Sequence, residues 1–165
     1  MEDSIQYVKG DATHLIGDGK KLLIHCCNDI GAWGSGFVMA ISRRWKDPEV
    51  QYKKWSRGHV KGLKFGLGAV QFVKVEDDIV VGNMIGQHGI RRTGGTPPIR
   101  YSAIVKCLEK VRDAAVKNNA SVHLPYLMGA GLAGGSWDKI ESIIINEICH
   151  YNIQCVAYDI KGIVT

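Results

Sequence analysis

Two segments of this chain pass from a short apolar run through closely spaced glycines into a helical pattern. "LLIHCC" leads into "NDIGAWGSGF", where Gly31, Gly34 and Gly36 precede the helical spacing, and "VHLPYLM" leads into "GAGLAG", where Gly129, Gly131 and Gly134 do the same. At such a junction glycine lets backbone amides approach a guest closely and converge, while the helix that follows adds a potential favourable to anions. Either loop alone could serve only a tight turn and close helix packing. Two of them could grip a diphosphate from both sides. A Walker phosphate loop is excluded, because no glycine here is followed by Lys and then Ser or Thr at the required spacing. A Rossmann site is disfavoured too, since its fingerprint opens the first βαβ unit with an acidic residue about 20 positions on. "GAGLAG" opens the last helix, with one strand after it.

Apolar runs bounded by Gly, Asn and Asp predict strands over residues 5–9, 22–27, 69–75, 79–83, 121–127 and 154–159. One helical pattern follows Gly36 and breaks near "KDPEV", where Asp47 is expected to cap and Pro48 to open a second helical piece. A second spans 101–118, with Ile104, Leu108, Val111 and Ala115 on one face and Asn118 and Asn119 as stop signals. A third spans 136–151 on the stripe Trp137, Ile140, Ile144 and Ile148. "VKVEDDIVV" reads as a hairpin turning at Asp77 and Asp78, so one strand pair is antiparallel, while elsewhere strands and helices alternate. The expected fold is α/β: a three-layer α/β/α sandwich with a mixed, mostly parallel central sheet, one domain over 1–165, its ligands binding beyond the carboxyl ends of the strands.

A chain of 165 residues can bury a core without disulfides or metal. Its longest apolar runs cover only a few residues, so neither a signal peptide nor a spanning helix nor a membrane partner is expected, and the chain reads as intracellular and cytoplasmic. The cysteines Cys26, Cys27, Cys107, Cys149 and Cys155 are odd in number and lack C-x-x-C spacing, and His14, His25, His59, His88, His123 and His150 form no ligand pair. No metal and no cofactor is expected. Residues 43–64 hold eight basic and two acidic side chains, which accounts for the net charge of +5. Such a run is ordinarily solvated surface, and alternatively a face that attracts phosphate-bearing ligands or nucleic acid. The stretch 86–99, "GQHGIRRTGGTPPI", is long for a connection: either a lid presenting Arg91 and Arg92 to anions or a mobile surface loop.

Taken in order, "VKGDAT", "LLIHCCNDIGAWGSGFVMAI", "LPYLMGAGLAG" and "VAYD" resemble the macro domain, the ADP-ribose-binding module, over nearly the whole chain. Within that superfamily the "IH-x-CN" and "WG-x-G" segments are most similar to the ADP-ribose 1''-phosphate phosphatase-like branch. The resemblance implies ADP-ribose or its 1''-phosphate as ligand. It implies that Asp11 accepts the adenine amino group beside the amide of Ala12, that Tyr158 stacks on adenine, and that Asn28 bonds the distal ribose hydroxyls. Gly34, Ser35 and Gly36 would hold one side of the diphosphate, and Gly129, Ala130, Gly131 and Leu132 the other.

For chemistry, His25 and Cys27 share one face of a strand, an arrangement more often a core histidine beside a buried thiol than a nucleophile pair. The resemblance implicates His25 in phosphate removal, and His88 in the 86–99 stretch is the second candidate for acid or base. A different branch, which cleaves ADP-ribose from carboxylate side chains, relies on a Lys and an Asp. Here Ala133 stands at the aligned Asp position and no matching Lys lies near "VGNMIGQ". The favoured reading is a phosphate-monoester hydrolase. The alternatives are a non-catalytic reader of ADP-ribosylated protein or nucleic acid, a de-ADP-ribosylating hydrolase, or a nucleic-acid binder acting through residues 43–64.

Overall fold

The computed structural model describes residues 3–164. Along the chain run β1 (Gln6–Lys9), β2 (Lys21–Asn28), α1 (Phe37–Arg44), α2 (Asp47–Ser56), β3 (Val70–Glu76), β4 (Ile79–Gln87), α3 (Tyr101–Asn118), β5 (Ser121–Pro125), α4 (Trp137–Glu147), a 3-10 turn (Cys149–Tyr151) and β6 (Cys155–Asp159). The strands form one sheet in the order β1-β6-β5-β2-β4-β3. Every neighbouring pair is parallel except β3 with β4, the expected hairpin at Asp77 and Asp78.

Because β2, β5 and β6 are buried on both faces, their side chains divide alternately between two cores. Leu22 and Ile24 of β2 join Val122, Leu124, Ile104, Leu108, Ile140 and Ile144 beneath α3 and α4. Leu23 and Cys27 join Val156, Ile41, Tyr52 and Trp55 beneath α1 and α2. These two cores on one sheet make the three-layer sandwich. The apolar stripe of α3 is fully buried at Ile104, Leu108 and Val111, and each such side chain contributes about 1.5–3 kcal/mol. Gly86 lets that helix approach the sheet: a Cβ there would run into Ile104 Cδ1 and Cys26 Sγ, so even alanine would force these side chains to shift.

Strand β4 runs four residues beyond the expected 79–83, to Gln87, and three further boundaries differ from expectation. Lys46, not Asp47, is the cap of α2; Asp47 is its first residue and makes no capping bond, serving the positive helix end by charge alone. The third helix is not continuous to residue 151, because the backbone departs from helix at Ile148, tightens into the 3-10 turn and closes with Asn152 at φ 59°. β5 stops at Pro125, ahead of Leu127 at φ 69°. The expected stop at Asn119 is a left-handed C-cap, φ 50°.

Candidate functional site

The two glycine loops follow β2 and β5, which are adjacent and parallel, so both loops emerge at the same edge of the sheet. Pairing between these strands runs only from Lys21 and Ser121 to Leu23 and His123. Beyond that the strands part, and Pro125 has no N–H with which to continue a ladder. The gap is a cleft of about 520 Å³, within the range of small-molecule sites. Gly34, Ser35 and Gly36 line one side and Gly129, Gly131 and Leu132 the other. The loops touch: a Cβ on Gly36 would stand 3.3 Å from Leu132 Cδ1.

Among the described residues, the amides of Gly34, Ser35, Gly36, Gly129, Gly131 and Leu132 donate no hydrogen bond within the protein. Other groups hold the turns, through bonds such as Gly134 N–H to Gly131 O at 3.0 Å and Gly135 N–H to Gly129 O at 2.9 Å. Ala130 departs from expectation: its amide is spent on Leu127 O at 2.8 Å, and it packs against the α3 and α4 core instead of lining the cleft. Helix α1 begins at Gly36 with no side-chain cap and no acidic residue in its first turn, and its Phe37 and Val38 line the cleft. Its positive end is thus left open to a guest. Among the described residues, no Asp, Glu, Lys or Arg lines the cleft. The positive potential in its lining therefore comes from oriented amides.

Asn28 lines the cleft, but its side chain builds the first loop. Its Oδ1 accepts from Ile30 N–H at 3.1 Å and Ala32 N–H at 3.0 Å, its Nδ2 donates to Ala32 O at 2.8 Å, and the Tyr52 hydroxyl reaches both its main-chain and side-chain oxygens. The oxygen and one Nδ2 hydrogen are thus committed to the loop, and the second Nδ2 hydrogen is the donor this side chain keeps beside the cleft. Asp11 and Ala12 follow β1 at the same sheet edge, outside the cleft lining. Asp11 Oδ1 accepts from both Thr13 N–H and Thr13 Oγ1, each at 2.8 Å, leaving Oδ2 turned to His14 at 3.4 Å. Burial pushes this carboxyl up, but the Thr13 bonds and His14 outweigh it and hold it below the ordinary carboxylate range. Asp11 thus remains an ionised acceptor. Ala12 is buried in the α1 and α2 core.

Tyr158 is not placed to stack on a base. It is 3% exposed, lies against His123 in the core, accepts from Ile16 N–H at 2.9 Å and bonds His123 Nδ1 at 2.8 Å. Of the alternating residues of β6, it shares with Val156 the face covered by α1 and α2.

His25 reaches the cleft but is itself 2% exposed, edge-on to Trp33 and Phe37. Asn83 Nδ2 donates to the Pro48 carbonyl, so the other amide atom facing His25 is the oxygen, and His25 Nε2 must carry the proton. Burial pushes this imidazole down to about 4, partly offset by the Asn83 bond, so it is neutral at pH 7. Cys27 Sγ lies 3.7–3.8 Å from the ring, and burial drives its thiol well above the ordinary value. A Cys–His nucleophile pair is therefore not formed.

His88 stands outside the cleft lining, between Gln87 and Ile90 on either side of it in sequence, both of which do line it. Its Nδ1 donates to Asp29 Oδ2 at 2.7 Å, and Gly89 N–H donates to Asp29 Oδ1 at 2.7 Å. Burial pushes the Asp29 carboxyl up, but the Gly89 amide and the His88 ring outweigh it and hold it below the ordinary carboxylate range, so Asp29 fixes the His88 ring through Nδ1 and leaves Nε2 without a partner among the described residues. The 86–99 stretch is tied down at both ends. Residues 88 and 89 hold Asp29, Ile99 N–H donates to Ala133 O at 3.0 Å, and Arg100 Nη1 donates to the carbonyls of Pro97, Pro98 and Ile99. It forms one wall of the cleft; Arg91 and Arg92 are exposed on it and do not line the cavity. The basic run 43–64 lies on α1, α2 and the loop after them, largely exposed, with Arg44 paired to Glu76 and Lys53 to Glu49.

The sequence reading did not name Phe37, Gln87, Ile90 and the segment Pro125 to Leu127, which line the cleft, nor Asp29, which stands outside the lining and holds His88. Only Asp29 carried a local signal, as the acidic residue directly after the "CN" that ends β2.

No family model matches the chain. A solved structure described as a macrodomain protein from Streptomyces coelicolor is 47% identical, with a TM-score of 0.83 over 94% of this chain and 99% of that one. A curated relative from Mus musculus, chromodomain-helicase-DNA-binding protein 1-like, is 30% identical over 94% of this chain but only 18% of its own length; the chain spans less than a fifth of the first curated relatives it matches. The ADP-ribose 1''-phosphate phosphatase of Candida albicans is 23% identical over 92% of this chain and 99% of its own.

Proposed function

The chain belongs to the macrodomain family, and on that premise we propose that its cleft binds ADP-ribose, with the diphosphate between the two glycine loops. The observation that carries this reading is the set of uncommitted amides on both sides of one cleft free of charged side chains. Gly34, Ser35 and Gly36 act from one side and Gly129, Gly131 and Leu132 from the other, with the α1 N-terminus adding to the potential. Asp11 Oδ2, ionised and half-exposed, accepts the adenine amino group, with Ala12 beside it. Asn28 acts through the loop it shapes, and neither Tyr158 nor Ala130 takes part. Calorimetric titration with ADP-ribose tests the binding: one saturable site supports it, and no heat at millimolar ligand removes it.

The reaction we assign is hydrolysis of ADP-ribose 1''-phosphate, in keeping with the name of the Candida albicans relative. Water attacks phosphorus, the P–O bond to the distal ribose breaks, and inorganic phosphate leaves. His88, oriented by Asp29, exchanges the proton at Nε2. His25, neutral and sealed between Trp33 and Phe37, shapes the floor beside the reacting group. The loop amides stabilise charge developing on the phosphate oxygens. The lining has neither a carboxylate at Ala133 nor a lysine, so the Lys and Asp chemistry of the de-ADP-ribosylating branch has no groups to run on. Phosphate release from the 1''-phosphate separates an enzyme from a reader. Binding without release would leave the reader as the function.

A further inference from the structure

A second cavity, of about 430 Å³, lies at the opposite end of the sheet from the nucleotide cleft, where β2 begins and the β3–β4 hairpin turns. Its origin is visible in the packing. On the face of β3 covered by α3, Val70 is 3% exposed, Phe72 is 39% exposed and Lys74 is exposed, so the helix cover peels away along the strand. On the other side α3 contributes Ala114 and the turn after it Ala120, and these small residues leave unfilled a groove floored by Leu22, Val80 and Phe72. The charges around it are uneven. Lys20, Lys74 and Lys117 line it and make no salt bridge among the described residues, whereas Asp78 is engaged by buried Lys21 at 3.3 Å, leaving Asp77 as the one uncommitted acid on the lining.

We propose that this groove is a binding site for an amphipathic organic anion: an apolar body on Leu22, Val80 and Phe72, with an acidic head among Lys20, Lys74 and Lys117. An apolar floor with a few charges at the mouth is what fixes such a molecule in both depth and orientation. The site shares no lining residue with the nucleotide cleft and does not depend on it.

The test is a fluorescence titration of the intact chain with 8-anilinonaphthalene-1-sulfonate, with decanoate as competitor. One saturable site is expected, displaced by decanoate and untouched by ADP-ribose. Lys74→Glu with Lys117→Glu should weaken it at least tenfold, whereas Lys74→Arg with Lys117→Arg should retain it. Ala114→Leu fills the groove without changing charge and should abolish binding while circular dichroism and thermal midpoint show a folded protein. Absence of saturable binding, displacement by ADP-ribose, or unchanged binding in the folded Ala114→Leu protein would overturn the proposal. None of these outcomes bears on whether the other cleft binds ADP-ribose.

Discussion

Replacing Gly36 by alanine puts the loop geometry under direct test. Gly36 has φ 84° and ψ −152°, a backbone region that is essentially glycine-only, and a non-glycine residue held there costs about 1–3 kcal/mol. The new methyl would also meet Leu132 Cδ1 at 3.3 Å. Leu132 is 72% exposed and can swing aside, so steric contact is the smaller effect and backbone strain the larger. The chain relieves strain by reshaping the turn, which moves the Ser35 and Gly36 amides away from the phosphates they would serve. At about 1.4 kcal/mol per tenfold, that strain corresponds to roughly a 5- to 100-fold loss of affinity. Calorimetry with ADP-ribose on Gly36→Ala reads this out, and the double variant with Leu132→Ala identifies the cause, because removing the leucine cannot relieve backbone strain. Affinity within twofold of the parent, or full recovery in the double variant, would refute the reasoning.

His25 and His123 are both buried and held at about 4, below the ordinary 6.5, by desolvation, with the Lys21 charge adding at His123. The unfolded chain protonates first as pH falls, so stability is constant above about 6.5 and is lost between 6.5 and 4, by about 2 kcal/mol for each histidine at pH 5. Urea unfolding at pH 7.5 and pH 5 should show this, with a shallower loss in His123→Gln; equal midpoints would contradict it. If His88 exchanges the proton, His88→Asn should lower phosphate release about 100-fold or more and Asp29→Asn by about tenfold, both with ADP-ribose affinity retained. A fully active His88→Asn would retire that role. Asn28→Ala strips the acceptor from two loop amides and should cost about 2–3 kcal/mol, lowering the thermal midpoint by several degrees and weakening ADP-ribose together with it. Normal stability with lost affinity would instead restore a direct ligand contact.

The fold was legible because its signals are local. The Ile104, Leu108, Val111 and Ala115 spacing and the Asn119 cap bound α3 at both ends, and the Asp77–Asp78 turn identified the antiparallel pair. The two glycine junctions were legible as a pair, since each stands between a strand and a helix. Their meeting was not, because it depends on β5 inserting beside β2, which is a matter of strand order. Tyr158 went astray because a strand buried on both faces carries no polar alternation to say which way a side chain points; all five β6 residues are buried. The partnership of Asp29 and His88 spans 59 residues and comes from β2 and β4 ending side by side. Neither residue announces it alone.

The central claim is that uncommitted main-chain amides from two loops hold one diphosphate, and amide chemical shifts report on those groups directly. In a ¹⁵N-labelled sample titrated with ADP-ribose, the account predicts that the amides of Gly34, Ser35 and Gly36 and those of Gly131 and Leu132 move together, along one saturation curve. Shifts confined to one loop, or none in either at millimolar ligand, would contradict it.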